Sequence, residues 1–563
     1  MYCRPDSDLH LQVNFIQMGG GRLEIGGVLG VETAECLDAA FAAVRMSCSV
    51  DGRIDERPLK GECDVHEHVS GGAKDARIAA RRFRCSIPLV GRRMEVAWKS
   101  SDANFPFTWK TVPHGWFSPL SLRLPSGYYC AGGYLARCRD EMLVVERYSW
   151  WRHCAAEMRV WWGLMSAMRP AACKALMFRW LCLLLRPFSR RLWLFTDRES
   201  AADDNARALF EHVCSRSCAE RIPSCVFAVA GGSGTFGAVP PRGRVDDIRS
   251  LRYKLHFLLA DFVIASHRQR IQRMPFTAGF VDYAKDLVNR PRFVYLRHGV
   301  SQNDLADDLG RPQINPRVLV SSAVREYESI LAGRYGYTTR EVKLCGLPRF
   351  DRLYDARAKC VTLMPSWRGY LARRIDSSRF ELLPGFDESV YCRTLGEICS
   401  NERLADACAR CGYTLQLAMH PNFVFALDRF RLGPHVRIVP PGTRYRDVFA
   451  ASDLILTDYS SVAFDFAYLK KPVIYFQPDY DEFYGRQYVP GYFDYGRDGF
   501  GEVETDVSAA IDRLVEYIER GCAMKPEYAR RVDSFFGFND KDSCRRVYEA
   551  VLQAEREDRE ESR

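Results

Sequence analysis

Thr457-Asp-Tyr-Ser-Ser-Val-Ala-Phe-Asp-Phe466, closely followed by Lys470-Lys471-Pro472, decides how this chain is read. Asp453-Leu-Ile-Leu-Thr457 before it is an apolar, strand-like stretch, and Val462-Ala-Phe-Asp-Phe-Ala-Tyr-Leu469 after it has apolar spacing that suits a helix. Asp458, Ser460 and Ser461 therefore stand where a strand gives way to a helix, which is the ligand edge of an open α/β sheet. Free N–H groups of a first helical turn, two serine hydroxyls and nearby lysines can together hold a phosphate. The plainer alternative is that Asp458 or Ser460 only caps the helix.

Working outward, the same strand-then-helix alternation recurs. Cys360-Val-Thr-Leu-Met364, Tyr413-Thr-Leu-Gln-Leu-Ala-Met419, Val436-Arg-Ile-Val439, Leu454-Ile-Leu456 and Val473-Ile-Tyr-Phe476 read as buried parallel strands. An earlier series reads the same way: Leu192–Phe195, Ser224–Ala230, Phe262–Ser266, Phe293–Leu296, Val318–Ser321 and Val342–Cys345. The expected architecture is α/β, with two doubly wound, Rossmann-like domains in tandem and a cleft between them. The boundaries read as 191–355 and 356–550, with a charged tail, 551–563, that is expected to fray.

Residues 1–148 differ. Short alternating stretches (Leu11–Ile16, Arg82–Leu89, Met142–Arg147) separated by turns such as Gly19-Gly20-Gly21 predict a small antiparallel β domain. Residues 149–190 form a basic, tryptophan-rich linker. From Trp150 to Arg191 there are eight Arg or Lys against the single acid Glu157, together with five of the 10 tryptophans. Charges interrupt it too often for a membrane-spanning helix, so it predicts either a helix lying on an anionic membrane or a helical pair docked on the next domain. No nucleic-acid module accompanies the charge. The opening Met1-Tyr-Cys-Arg-Pro-Asp-Ser-Asp8 has no apolar run, so no signal peptide is expected. The 21 cysteines form no framework, and Cys408-Ala-Arg-Cys411 lacks the second pair that a zinc site needs. A reduced cytoplasmic protein is expected.

The chemistry-bearing residues follow strand ends. His298, in Arg297-His-Gly-Val-Ser301, leaves a strand of the first domain, with Gly299 allowing the backbone to approach a ligand; His420, in Met419-His-Pro-Asn422, leaves one of the second. Two of 11 histidines on facing edges suggest a shared site, although one such histidine alone would read as structural. Arg368, in Met364-Pro-Ser-Trp-Arg368, and Lys471 are the candidate phosphate cations, a salt bridge being the alternative for Arg368. Gly346-Leu-Pro-Arg-Phe-Asp351 reads as the crossover between domains, and the aromatic loop Tyr488–Gly501 as a cover for a ligand or a cap on the fold.

In their order and spacing, His298–Ser301, Gly346–Asp351, Met364–Arg368, His420-Pro421, Thr457–Ser461 and Gly491-Tyr-Phe-Asp-Tyr495 resemble the CDP-glycerol glycerophosphotransferase family, which builds teichoic acids. Leu194-Phe-Thr-Asp-Arg198 and Asp204-Asn205-Ala206 resemble the family's first strand and helix, and the resemblance spans about 191–540. It implies a GT-B architecture, a CDP-glycerol or other CDP-polyol donor, no metal or other cofactor, and a lipid-linked polyol-phosphate acceptor. It also implies a peripheral place on the cytoplasmic face of the membrane. By motif it implies that His298 and His420 are the essential histidines and that Ser460, Ser461 and Asp458 bind phosphate. Many family polymerases carry Trp before the His-Gly and Thr-Pro after it, where this chain has Arg297, Val300 and Ser301; that bears on the acceptor. A sugar transferase of the same architecture and a non-catalytic scaffold are the competing readings.

Overall fold

The computed structural model describes residues 10–31, 37–58, 61–69, 76–100, 118–121, 123–139, 142–189, 191–198, 202–215, 223–231, 242–268, 274–375 and 379–561. Arg190 of the basic segment lies outside these. The first parallel sheet has seven strands in the order Gly243–Asp247, Ser224–Val229, Leu192–Thr196, Phe262–Ala265, Arg292–Tyr295, Val318–Ser321, Val342–Leu344. The second has six, in the order Arg437–Ile438, Thr414–Leu417, Cys360–Leu363, Ser452–Thr457, Val473–Phe476, Val503–Glu504. Both are doubly wound: the strand order reverses beside the first strand of each, which opens a crevice at the carboxyl ends. The apolar runs read as strands are these strands. Gly243–Asp247 and Val503–Glu504 escape the reading because Gly-Arg-Val-Asp-Asp and Val-Glu carry no apolar run.

Before these sheets stand two antiparallel ones of four and six strands. Their first hairpin turns at Gly20 and Gly21, whose φ of 56° and 71° suit glycine. The linker folds into two antiparallel helices, Trp150–Ala167 and Pro170–Leu185. Ala172, Ala175 and Phe178 pack toward the helix Ala278–Val288 of the first domain, and Arg179 fixes the hairpin through Glu157 (2.5 Å) and Asp286 (2.6 Å). Docking does not bury the tryptophans: Trp150, Trp151, Trp162 and Trp180 stay exposed, and only Trp161, bound to Glu157 through its indole N–H, is partly covered. None of the described helices is long and apolar enough to cross a membrane.

The charged tail is helical as far as Glu561, where fraying was expected. The helix Ser543–Glu561 runs through it and crosses to the first domain, where Glu555 meets Arg191, Glu557 meets Arg317 (2.5 Å), and Asp558 meets Arg292 (2.5 Å) and Arg317 (2.9 Å). A run of alternating charges reads as solvated from sequence alone; here its acids face arginines on another domain. The domains are also stitched at the cleft. Asn303–Asp304 pairs antiparallel with Val489–Pro490, Tyr484 Oη donates to Asn303 Oδ1 (3.2 Å), and Gln302 donates to the Tyr459 carbonyl. Gly491 is required there, since a Cβ would stand 2.3 Å from the Gln302 carbonyl oxygen.

Candidate active site

His298, Gly299, His420, Ser460 and Ser461 line one cavity of about 350 Å³ between the two parallel sheets, with Arg198, Ser366, Trp367, Tyr459 and Tyr488. The turn that delivers His298 is unusual: Arg297 adopts φ 66°, a left-handed conformation that costs about 1–2 kcal/mol for a side-chain-bearing residue. It is held because the Arg297 guanidinium is buried against Glu326 (3.2 Å) and Ser301, while Asn205 Nδ2 donates to the Arg297 carbonyl (2.8 Å). His298 then points its Nδ1 at Asp204, which begins the helix Asn205–Ser215. Asp197, at the end of the strand Leu192–Thr196, accepts the backbone N–H groups of Asp204, Ala206 and Arg207, fixing that helix start.

The hydrogen bonds set complementary proton positions on the two histidines. Asp204 is held well below the usual carboxylate range: burial pushes it up, but the facing His298 and Arg349 outweigh that. An ionised carboxylate only accepts, so His298 carries its proton on Nδ1. Its Nε2 is left as an acceptor, and Arg198 Nη2, which can only donate, lies 3.0 Å from it. His420 is reversed. Its Nδ1 accepts the backbone N–H of Asn422 (3.2 Å), so its proton is on Nε2 and it offers a donor. Its ring stacks on Trp367, centroids 6.0 Å apart and 17° from parallel. Burial lowers both imidazoles to about 4, with Asp204 opposing the shift at His298 and the Arg198 charge adding to it at His420. Both are therefore neutral near pH 7.

Gly299 faces Ser461 across the domain boundary: a Cβ there would lie 3.0 Å from the Ser461 hydroxyl. Ser461 precedes the seven-residue helix Val462–Tyr468 without capping it, so its hydroxyl is available to the cavity. Asp458 is a bracing group. It accepts the Ser366 N–H (3.0 Å), the Ser366 hydroxyl (2.7 Å) and the Tyr459 N–H (2.6 Å), pinning two loops of the cavity wall together.

Both candidate cations are elsewhere. Arg368 is 1% exposed, forked between Asp458 (2.8 Å) and Asp479 (2.7 and 3.0 Å) and enclosed by Tyr391, Tyr459 and Phe483. It shapes Asp458, three of its N–H groups are committed to the two carboxylates, and it is not among the residues that line the cavity. Lys471 is fully buried, donating to the carbonyls of Phe449 (2.8 Å), Ala450 (3.0 Å) and Ser452 (2.7 Å) and pairing with Asp355. Ser452 begins the strand that ends at Thr457, so Lys471 is at the opposite end of the sheet from Asp458. Beside Arg297, which pairs with Glu326, the cations at the site include Arg198, which lines the cavity, and Arg349, which backs His298; the reading of the sequence did not single them out. Arg349 spans the cleft, from Asp204 Oδ1 (2.8 Å) and the His298 carbonyl to both oxygens of Asp465 (2.6 and 2.7 Å). Asp204, His267 and His298 bring three ligand-type atoms within 4.8 Å of one another, but Arg198 and Arg349 already supply positive charge there, and Asp204 and His298 form a hydrogen-bonded acid–base pair against which His267 packs.

The sequence profile described as CDP-Glycerol:Poly(glycerophosphate) glycerophosphotransferase matches residues 178–553, which contain both parallel sheets and every residue of this cavity. The chain belongs to that family. Among relatives of this glycerophosphotransferase-family chain is the minor teichoic acid biosynthesis protein GgaB of Bacillus subtilis (strain 168), 32% identical over 396 residues, covering 69% of this chain and 43% of the relative. Another is the teichoic acid glycerol-phosphate transferase of Staphylococcus aureus (strain NCTC 8325 / PS 47), 28% identical over 212 residues, 34% of this chain and 49% of the relative. The family member described here thus spans less than half the length of either. A solved structure of the wall teichoic acid polymerase TagF aligns over 74% of this chain and 100% of that one, at 15% identity and a TM-score of 0.49.

Proposed function

We propose that the chain transfers a polyol phosphate, glycerol phosphate in the first instance, from a CDP-activated donor to a hydroxyl of a lipid-linked polyol-phosphate acceptor, releasing CMP, in teichoic acid or related surface-polymer synthesis. The observation that carries this is the opposed pair of histidines, one presenting an acceptor nitrogen and the other a donor N–H to one cavity, in a chain of this family. The acceptor hydroxyl attacks the phosphorus that bears the polyol. His298 Nε2 takes its proton, the bond from that phosphorus to the bridging oxygen breaks, and CMP leaves with the electron pair. His420 Nε2–H, the Ser460 and Ser461 hydroxyls and the Arg198 guanidinium meet the charge that builds on the phosphates, which is most of what phosphoryl-type transfer needs. Arg198 leaves Nε2 to the incoming hydroxyl and turns to phosphate. The test is CMP release with CDP-glycerol, CDP-ribitol and a panel of nucleotide-sugars, each with and without acceptor and with a chelator. Acceptor-dependent release that survives the chelator is expected; turnover of a nucleotide-sugar alone would replace this reading with a sugar transferase.

The reading includes a peripheral place on the cytoplasmic face of an anionic membrane. Trp151 (75% exposed) and Trp162 (74%) on the helical hairpin and Phe188 (85%) in the short turn after it stand in water, with Arg152, Arg159, Arg169 and Lys174 exposed among them. Each basic side chain contributes about 1 kcal/mol near an anionic surface, and the indoles suit the headgroup layer. The protein is expected to float with phosphatidylglycerol vesicles at low salt, and Trp151→Ala with Trp162→Ala to weaken that several-fold. Equal recovery with neutral and anionic vesicles would remove the electrostatic part of the reading.

A further inference from the structure

His267 lies just beyond the strand Phe262–Ala265, on the strand neighbouring the one that delivers His298. Its ring packs against His298, centroids 4.4 Å apart and 35° from parallel. Its Nε2 is buried and lies 3.2 Å from Asp204 Oδ2 without an aligned hydrogen bond, and it has no hydrogen-bond partner among the described residues. We infer that His267 is a positioning residue of the site, which holds Asp204, and through it His298, in the state that aims a bare Nε2 at the cavity. The inference rests on the reading of His298 as the base.

The argument is a count of lone pairs. An ionised carboxylate accepts about four hydrogen bonds, two at each oxygen. Asp204 Oδ1 accepts Arg349 Nη1 (2.8 Å) and the Asn205 N–H (2.9 Å). Oδ2 faces His298 Nδ1 and His267 Nε2. A small turn of the His267 ring lines its Nε2–H up with Oδ2; every acceptor position is then taken, the carboxylate cannot turn, and the packed ring blocks rotation of His298 on one face. Without His267, one position of Oδ2 is free and one face of the His298 ring is open. His298 can then rotate or take its proton on Nε2, which removes the acceptor nitrogen. The charged neighbours are Asp197 behind Asp204, Arg198 on the Nε2 side, and Arg349 with Asp465 below; Arg268, next in sequence to His267, is tied to Asp308 (2.7 Å). None of these can stand in for a donor at Oδ2.

Two variants separate donation from packing. His267→Leu keeps the bulk and removes the donor; His267→Gln returns an N–H at similar reach. Nitrogen-15 spectra of histidine-labelled protein report which imidazole nitrogen of His298 is protonated, its signals being assigned by their loss in His298→Ala. Wild type should show protonated Nδ1 and bare Nε2, His267→Leu a mixture, and His267→Gln the wild-type pattern. In CMP release, His267→Leu should lose about tenfold in kcat with KM for CDP-glycerol unchanged, and His267→Gln should recover most of it. A wild-type tautomer in His267→Leu, or His267→Gln behaving like His267→Leu, would overturn the inference. If the wild-type protein releases no CMP from any CDP-polyol, the proposed reaction falls, and the spectra of the free protein still decide the role of His267.

Discussion

His298→Ala is expected to lower acceptor-dependent CMP release on the order of 10³-fold while leaving the thermal unfolding transition in place. The side chain is 39% exposed into the cavity and contributes little to the core, so the loss should be in kcat and not in folding. Asp204→Asn should come close to it, although the base itself is kept. An amide can donate as well as accept, so it no longer requires the proton to sit on Nδ1, and a shift of that proton to Nε2 disables the base. His420→Ala removes a donor, not the base, and is expected to cost about 10²-fold. The pH profile is a second check. His298 works only when unprotonated, and burial, partly offset by Asp204, lowers it to about 4. The acid limb of kcat/KM should therefore fall near pH 4 and not at the ordinary histidine value of about 6.5. Near-wild-type turnover by both His298→Ala and His420→Ala would sink the assignment.

How much of this was legible follows the physics of each signal. Parallel strands buried on both faces read as apolar runs, and most of the inner strands carry one; the two strands that escape the reading are edge strands with a single valine each. The histidines and serines were legible because strand ends in a doubly wound sheet all point to one crevice. That rule also puts Lys471 away from the site: it precedes the strand Val473–Phe476, and residues before a parallel strand sit at the edge away from the crevice. The same rule covers what was missed, since Arg198, Asp204 and His267 each follow a strand of the first sheet. What strand position cannot supply is pairing across domains. Nothing in Gly346-Leu-Pro-Arg349 says that its arginine reaches Asp465 on a helix more than a hundred residues on, and nothing in the tail says that its acids meet Arg191, Arg292 and Arg317.

Arg368→Met is expected to destabilise the second domain by about 3–5 kcal/mol and to leave KM for CDP-glycerol little changed among molecules that remain folded. The guanidinium is buried between two carboxylates, Asp458 at 4% and Asp479 at 6% exposure, and no other described cation bonds to either. Methionine fills most of the volume but leaves two adjacent buried charges without a counter-ion, the situation in which breaking an ion pair costs most. The sign with pH is fixed by Asp479. Burial would raise its carboxyl, but the bonds from Arg368, and then those from Tyr459 and Tyr370, lower it below the ordinary value. A carboxylate lowered on folding adds stability above its unfolded value and loses it as the pH falls through the folded one. In Arg368→Met that contribution is gone and burial, no longer opposed by the cation, makes Asp479 take up a proton more readily, which relieves the unpaired charge; the gap to wild type should therefore be widest near neutral pH and narrow as the pH drops toward about 4. A phosphate-binding arginine behaves oppositely: its loss raises KM, leaves the unfolding transition where it was, and shows no narrowing toward acid. Denaturant unfolding at pH 7 and pH 4.5, set beside KM for the donor, separates the two. An unmoved transition with a large rise in KM would return Arg368 to the phosphate site and require Asp458 to release it when the donor binds.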